Sequence, residues 1–230
     1  MPSTATVSHL RSAVLFVAPA LLFLGFAYHP YIGNATDEAA IAGAASDDTT
    51  RWGLAHLAIG VGYGLMALAF VALRSYLREA GEDRWSGLAL PFAVLGSCLF
   101  IPLTGMEFAL LAAAETGGDV QAVQEELMPW FIPLLVSGAL STALGAAFFA
   151  AAVRRSSVLS SRMTWLVVVG FVVMALARVV PLGVAPIVIG IAALVALWPL
   201  AYRIWIDTSA VSPTGDAATE PRDPTVSSAG

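Results

Sequence analysis

The amino-acid sequence predicts an all-α integral membrane protein, a bundle of six transmembrane helices with both termini in the cytoplasm. Three observations predict this fold: an apolar composition, six charge-poor stretches of span length, and connecting segments that alternate between arginine-rich and acidic. Of 230 residues, 58% are apolar and 12% are charged, and the mean hydropathy is +0.81. Soluble domains have about 25% charged residues. The composition therefore excludes a soluble globular domain, and with it a disordered or nucleic-acid-binding chain.

Each span is predicted from the length of an uncharged stretch. A bilayer core of about 30 Å needs roughly 20 apolar residues in helical form. The predicted spans cover residues 12–28, 52–73, 88–114, 130–153, 163–180 and 184–202. The third span contains Pro102 and Glu107, and the fifth contains Arg178. Residues 181–183, Pro-Leu-Gly, predict a tight hairpin between the last two spans. The six spans with their connecting loops form a predicted transmembrane domain over residues 1–206.

The distribution of charge predicts the orientation of the spans. All eleven basic residues are arginine, and most of them precede the first span or follow the second and fourth. The two other long loops carry eight acidic residues against Arg51 alone. Because short cytoplasmic loops are enriched in basic residues, the arginine-rich segments are expected inside and the acidic loops outside. The complete absence of lysine suggests a GC-rich prokaryote, so we expect a multi-pass protein of the prokaryotic plasma membrane.

Three segments outside the main spans carry their own predictions. Short surface helices are expected at residues 37–45 and 119–128, the second from apolar residues at helical spacing. Residues 207–230 are rich in Ser, Thr, Pro and Ala, which predicts a disordered cytoplasmic tail. The first span has an alternative interpretation as a cleaved signal peptide, because residues 40–42 loosely resemble a cleavage site. Cleavage would leave five spans with the same orientation.

A polar cluster is predicted in the outer third of the spans. The second span enters the bilayer from outside and the fifth ends there, so His56 and Arg178 lie near the same surface. Glu107 follows Pro102, which loosens the third span by removing a backbone hydrogen bond. Ionisable residues inside a membrane are energetically costly and indicate function, so we expect Glu107 to pair with Arg178, with His56 nearby. The candidate ligand-binding residues are His56, Tyr63, Thr104, Glu107 and Arg178.

Helical periodicity supports the inward orientation of this cluster. At 100° per residue, His56, Gly60 and Tyr63 fall on one stripe of the second span. Thr104 and Glu107 share one face of the third span. Small residues such as Gly60 mark the faces on which membrane helices approach each other closely. Both stripes are therefore expected to face neighbouring helices.

Each of these residues also has a structural interpretation. Arg178 could extend its side chain to the outer headgroups. Glu107 could be an interfacial acid that faces water, or one half of a structural ion pair between the third and fifth spans. His56 could form a hydrogen bond to a neighbouring helix, and His29, beside Pro30, could be a loop residue.

The favoured function is a non-enzymatic module that binds or transports a small ligand or an ion in an outer-facing polar pocket. The chain has no second charged site near the inner face, which favours binding over a relay across the bilayer. It also has no nucleophile elbow, metalloprotease motif or phosphate loop, and three His and one Cys are too few for a metal cage. The runner-up is a structural or accessory subunit of a membrane complex. A haem b held by His29 and His56 is the lesser alternative.

Overall fold

The fold is entirely helical over the part of the chain that the structure, a computed structural model, describes: residues 4–34, 37–180 and 182–210. Within these ranges the chain forms seven α-helices, and a 3₁₀ turn at Ala177–Val179 follows the sixth. The helices are α1 (Thr4–Tyr28), α2 (Glu38–Asp47), α3 (Thr49–Glu79), α4 (Arg84–Thr116), α5 (Val120–Ser156), α6 (Ser161–Leu176) and α7 (Ala185–Ala210). The prediction of an all-α fold is confirmed.

Five of these helices are long and apolar enough to cross a membrane: α1, α3, α4, α5 and α7. The sixth helix, α6, is apolar but has only 16 residues. At 1.5 Å per residue it is about 24 Å long, which is less than a bilayer core of about 30 Å. The predicted span over residues 163–180 is therefore α-helical only to Leu176, and the 3₁₀ turn continues it to Val179.

The helix boundaries follow from local signals in the sequence. The helices α2, α3 and α5 each begin after an aspartate whose carboxylate accepts a hydrogen bond from the backbone N–H three residues on, at 2.9–3.0 Å. These residues are Asp37, Asp48 and Asp119. Helix α4 ends where Gly117 adopts a left-handed conformation, with φ of 74°, that lets its backbone turn away.

Two predicted boundaries differ from those observed. The first surface helix lies where it was expected, as α2. The second, over residues 119–128, is wrong as a separate element, because α5 continues without a break through Pro129 and Pro133 into the apolar segment that follows. Apolar residues keep helical spacing across the junction, so the two segments form one helix. Helix α7 extends to Ala210, four residues into the predicted tail, and residues 211–230 lie outside the described part.

The long helices form a closed ring. Going around it, α1 packs against α3, α3 against α4, α4 against α5, α5 against α6, and α6 against α7, which returns to α1. Small residues make these contacts close. At Gly145 of α5, for example, an added β-carbon would lie 2.6 Å from the backbone nitrogen of Ala93 on α4. The short helix α2 lies across one end of the ring, against α3, α4 and α5.

The two ends of the ring differ in charge. At one end, the beginning of α1 meets the end of α3 through an ion pair between Arg11 and Glu79 at 2.8 Å. Asp207 of α7 accepts a hydrogen bond from Tyr76 of α3 at the same end. We call this the arginine-rich end, which also holds Arg74, Arg78, Arg84, Arg154, Arg155, Arg162 and Arg203. The opposite end, which carries α2 and the α4–α5 connection, is the acidic end.

Aromatic side chains fill the half of the ring nearer the arginine-rich end. The ring of Phe149 on α5 lies nearly parallel to those of Phe70 on α3 and Phe171 on α6, with centroid distances of 5.4 and 6.1 Å. All three side chains are fully buried. This stack, together with buried leucines at 73 and 77, closes the axis of the bundle at this level.

Candidate functional site

A cavity of about 530 Å³ lies inside the ring toward the acidic end. Residues from α1, α3, α4, α5, the 3₁₀ turn and α7 line it. The lining includes all five candidate residues predicted from the sequence, His56, Tyr63, Thr104, Glu107 and Arg178, together with His29. The structure therefore brings the predicted polar cluster around one space.

Two histidines are held in contact at the wall of the cavity. His56, on α3, is buried, and its Nδ1–H donates to the Trp52 carbonyl at 2.9 Å. His29, just after α1, donates from Nδ1 to the Pro30 carbonyl at 2.7 Å. The two imidazole rings meet edge to face with centroids 4.8 Å apart, and the Trp52 indole packs against both. Since each Nδ1 is used on a backbone carbonyl, Nε2 is the ring nitrogen left for other partners.

The His29 imidazole favours its neutral form. Burial lowers the pKa of this side chain below its ordinary value of 6.5. The hydrogen bond to the Pro30 carbonyl opposes the shift, and the positive charge of Arg51 adds to it. The Arg51 guanidinium is fixed nearby because it donates to the Tyr28 carbonyl at 2.7 Å. A neutral imidazole accepts a hydrogen bond at Nε2, so His29 offers an acceptor on this side of the cavity.

Glu107 lies on α4, which continues through Pro102 without interruption. Its backbone carbonyl accepts a hydrogen bond from the Trp52 indole N–H at 3.2 Å. Its side-chain Oε2 atom, in contrast, is buried and has no hydrogen-bond partner among the described residues. Thr104, one turn earlier, donates its hydroxyl to the Ile101 carbonyl at 2.7 Å and packs against Gly60 of α3. The cavity therefore presents an unsatisfied carboxyl oxygen on the α4 side.

Arg178 reaches into the bundle from the 3₁₀ turn. Its Nη1 donates to the Tyr63 hydroxyl at 3.2 Å, and its guanidinium carbon lies 4.5 Å from the centroid of the Phe100 ring. Such contacts with an aromatic face are attractive for a cation. Its Nε atom is buried and has no hydrogen-bond partner in the described part of the chain. The side chain thus points inward, and the alternative in which it extends to the headgroups is not what the structure shows.

The predicted ion pair between Glu107 and Arg178 is absent. No nitrogen of Arg178 comes within 4.0 Å of a carboxylate oxygen of the described residues. The reason is depth: Arg178 lies over Phe100, which is seven residues from Glu107 along α4, or about 10 Å of helix. The two charged side chains consequently occupy different levels of the same cavity, and each keeps an unpartnered atom.

Sequence reasoning missed the apolar wall and the cover of the site. Phe100 lines the cavity beside Arg178, and Leu103, Phe131 and Leu135 add further apolar surface to its wall. Phe100 shares a face of α4 with Thr104, a signal that could have identified it. The cover is a bridge between the loops after α1 and α6, in which the Gly183 N–H donates to the Gly33 carbonyl at 3.1 Å. No local pattern predicts this pairing, because it joins segments about 150 residues apart.

A second cavity of about 300 Å³ adjoins the first beneath α2. Both cavities share His29, His56 and Glu107 as lining residues. The second also includes Glu38 of α2 and Gln124 of α5, which lie at the acidic end. Glu107 therefore lies in the part of the site nearer the acidic end, and Arg178 lies in the deeper part. We call these two parts the outer level and the deep level of the cavity.

The two histidines do not have the spacing of haem ligands. With metal–nitrogen bonds of about 2.0 Å, imidazoles on opposite sides of an iron have ring centroids about 6 Å apart. The observed rings touch each other at 4.8 Å, so they would have to separate to hold a haem. Over the described ranges, no group of three or more His, Cys, Asp or Glu side chains is arranged to hold a metal ion.

Comparison with known proteins gave no relative. The chain matches no protein-family model, no curated protein and no solved structure.

Proposed function

We propose that this chain is a six-span membrane protein that binds a small ligand in the cavity at its acidic end, with that end outside and both termini in the cytoplasm. The observation that carries the proposal is the pair of unpartnered buried atoms, Glu107 Oε2 and Arg178 Nε, in one cavity. Buried polar groups in proteins almost always have partners. A ligand is the partner that the cavity has room for.

The size and lining of the cavity support this proposal. Small-molecule sites have volumes of about 300–1,000 Å³ and combine apolar walls with a few convergent polar groups. The main cavity, of about 530 Å³, is within that range, and its apolar walls surround Tyr63, Glu107 and Arg178. The polar groups are held by the scaffold, since Tyr63 and Phe100 position the guanidinium. Preorganisation of this kind reduces the entropy lost on binding.

The proposed orientation rests on the charge of the two ends. Basic segments remain on the cytoplasmic side of a membrane, and the arginine-rich end contains the start of α1 and the end of α7. In this proposal α6 and the 3₁₀ turn after it form the fifth span in chain order, beside the five longer helices. Because the start of α1 and the end of α7 both lie at the arginine-rich end, the proposed number of spans is even.

A binding role fits better than a transport role. The stack of Phe70, Phe149 and Phe171 closes the bundle below the cavity. The ionisable residues that line the cavity, among them Glu107 and Arg178, all lie between this stack and the acidic end of the bundle. A ligand would therefore enter and leave by the same end.

A single cysteine in the cavity tests the proposal. In a Cys98→Ser background, Thr104→Cys should react with methanethiosulfonate ethylsulfonate, a ligand-sized reagent that does not cross a bilayer. Thr142→Cys is the matched control, because Thr142 is also buried, on α5, but lines neither cavity. We expect the cysteine at 104 to react at least tenfold faster in intact vesicles, measured by mass spectrometry. Equal rates at the two positions would show that the cavity does not admit small molecules, and the proposal would be wrong.

A further inference from the structure

We infer that the ligand is a bipolar organic molecule, with an acidic group that binds Arg178, a hydrogen-bond donor such as an ammonium group that binds Glu107, and an apolar chain between them. The inference deepens the proposed function and rests on it. It follows from the chemistry of the two levels of the cavity and from the distance between them.

The deep level requires an anion. An arginine side chain stays charged at any physiological pH, and a buried charge without a counter-ion is strongly unfavourable. Around Arg178 the described residues supply a neutral hydroxyl from Tyr63 and the face of Phe100, but no carboxylate within 4.0 Å. The Nη1 atom is used by Tyr63, so the Nε side of the guanidinium is free. That side matches the two oxygens of a carboxylate or a phosphate.

The outer level is rich in hydrogen-bond acceptors. Glu107 Oε2 is a buried acceptor with no partner. Beside it, His29 and His56 have both used their Nδ1–H groups on backbone carbonyls, which leaves Nε2 of each ring as an acceptor in the neutral tautomer. An ammonium group carries three donors and no acceptor. It therefore complements Glu107 and the two Nε2 atoms, while the Arg51 guanidinium, which also lines the cavity, donates to the Tyr28 carbonyl at 2.7 Å.

The segment between the levels requires an apolar chain. Phe100 and Glu107 are separated by two turns of α4, about 10 Å. Thr104 also lines this interval, but its hydroxyl donates to the Ile101 carbonyl at 2.7 Å. The apolar part of the wall includes Leu103 of α4 with Phe131 and Leu135 of α5. These side chains form no hydrogen bonds, so polar groups in the middle of a ligand would lose their hydration without compensation. The cavity thus selects a molecule with polar ends and an apolar middle.

Chain length and charge of simple probes test the inference. The intact protein in phosphatidylcholine nanodiscs would be titrated by calorimetry with 4-aminobutyrate, 6-aminohexanoate and 8-aminooctanoate, and with hexanoate and hexylamine. We expect 6-aminohexanoate or 8-aminooctanoate to bind at least tenfold more tightly than either single-ended probe. The 4-carbon compound, too short to reach both levels, should bind more weakly than both longer amino acids.

Two variants assign the ends of the probe. Arg178→Gln should weaken binding of the best amino acid by about 10- to 100-fold, as expected for one charge-assisted interaction. Arg162→Gln, at an exposed arginine of the opposite end, should leave it unchanged. Glu107→Gln should reduce the preference for the amino acid over the plain carboxylate. This second variant keeps the test valid where Arg178→Gln does not fold.

The outcomes separate this inference from the proposed function. If hexanoate or hexylamine binds as tightly as the amino acids, the bipolar class is wrong although the cavity is a binding site. If no probe binds while the cysteine at position 104 is accessible, the ligand class is again wrong and the binding cavity remains. Only equal reactivity of cysteines at 104 and 142 overturns both.

Discussion

Replacement of Glu107 by leucine should make the protein more stable. The Oε2 atom is buried and has no partner, and such a group reduces stability by about 1–3 kcal/mol. Leucine removes the unsatisfied oxygen and matches the apolar surface supplied by Leu103 and Leu135. We therefore expect Glu107→Leu to increase the free energy of unfolding by a similar amount, measured by thermal or denaturant unfolding in a fixed detergent.

The matched control is Glu115→Leu on the same helix. Glu115 is exposed at the acidic end, and substitutions of exposed residues usually change stability by less than about 0.5 kcal/mol. A gain at position 107 with no change at 115 would indicate that the chain retains a destabilising carboxyl group for a ligand. If Glu107→Leu lowers stability, the carboxyl group has a stabilising partner, and the argument from its unpartnered oxygen is wrong.

Replacement of Gly145 by valine should strongly destabilise the bundle. A β-carbon at this position of α5 would lie 2.6–2.8 Å from the backbone and β-carbon of Ala93 on α4. Atoms cannot approach this closely, so the two helices must move apart. Overpacking of this kind lowers stability by about 1–3 kcal/mol or more, which unfolding experiments and the yield of monodisperse protein would measure.

Gly64→Val provides the matched control for this helix contact. Gly64 lies inside α3, but an added β-carbon there would meet nothing within 4 Å. Its replacement should therefore be tolerated, with a small gain from improved helix propensity. If valine at 145 is tolerated as well as valine at 64, the close packing of α4 against α5 does not occur in the protein.

Much of the fold follows from sequence because hydropathy and helix length are coupled by the thickness of the bilayer. Five long helices lie where uncharged stretches predicted them. The exception is the stretch over residues 163–180, where α6 ends at Leu176. Hydropathy measures the length of an apolar segment, but it does not distinguish an α-helix from a 3₁₀ turn. The predicted break between the surface helix and the span, before residue 130, is also wrong, because α5 continues through Pro129 and Pro133.

The sequence was sufficient to predict which polar residues of the candidate site share a cavity. Alternating span directions placed His56, Glu107 and Arg178 at one end, and helical periodicity turned His56 and Glu107 inward, while the direction of the Arg178 side chain stayed open. The ion pair between Glu107 and Arg178 was wrong because sequence locates a Cα atom to within about a turn. A long arginine side chain can extend in either direction from there, and the contact with Tyr63 and Phe100 draws it deeper.

The cover over the cavity illustrates the limit of sequence reasoning. The Gly33 carbonyl accepts a hydrogen bond from Gly183 across two loops that are distant in sequence. A β-carbon at Gly183 would overlap the Ile32 carbonyl, so this close approach requires glycine. Neither loop has a pattern that predicts the other as its partner, and the pairing emerges only when the ring of helices brings α1 and α7 together.

The sidedness of cysteine modification at position 104 would establish whether the binding cavity opens to the outside. Right-side-out and inside-out vesicles that contain Cys98→Ser/Thr104→Cys would be exposed to methanethiosulfonate ethylsulfonate, and the modified fraction followed by mass. We expect rapid modification in right-side-out vesicles and none in inside-out vesicles, because the phenylalanine stack closes the bundle below the cavity. Modification from the cytoplasmic side, at a comparable rate, would contradict an outward-facing binding cavity.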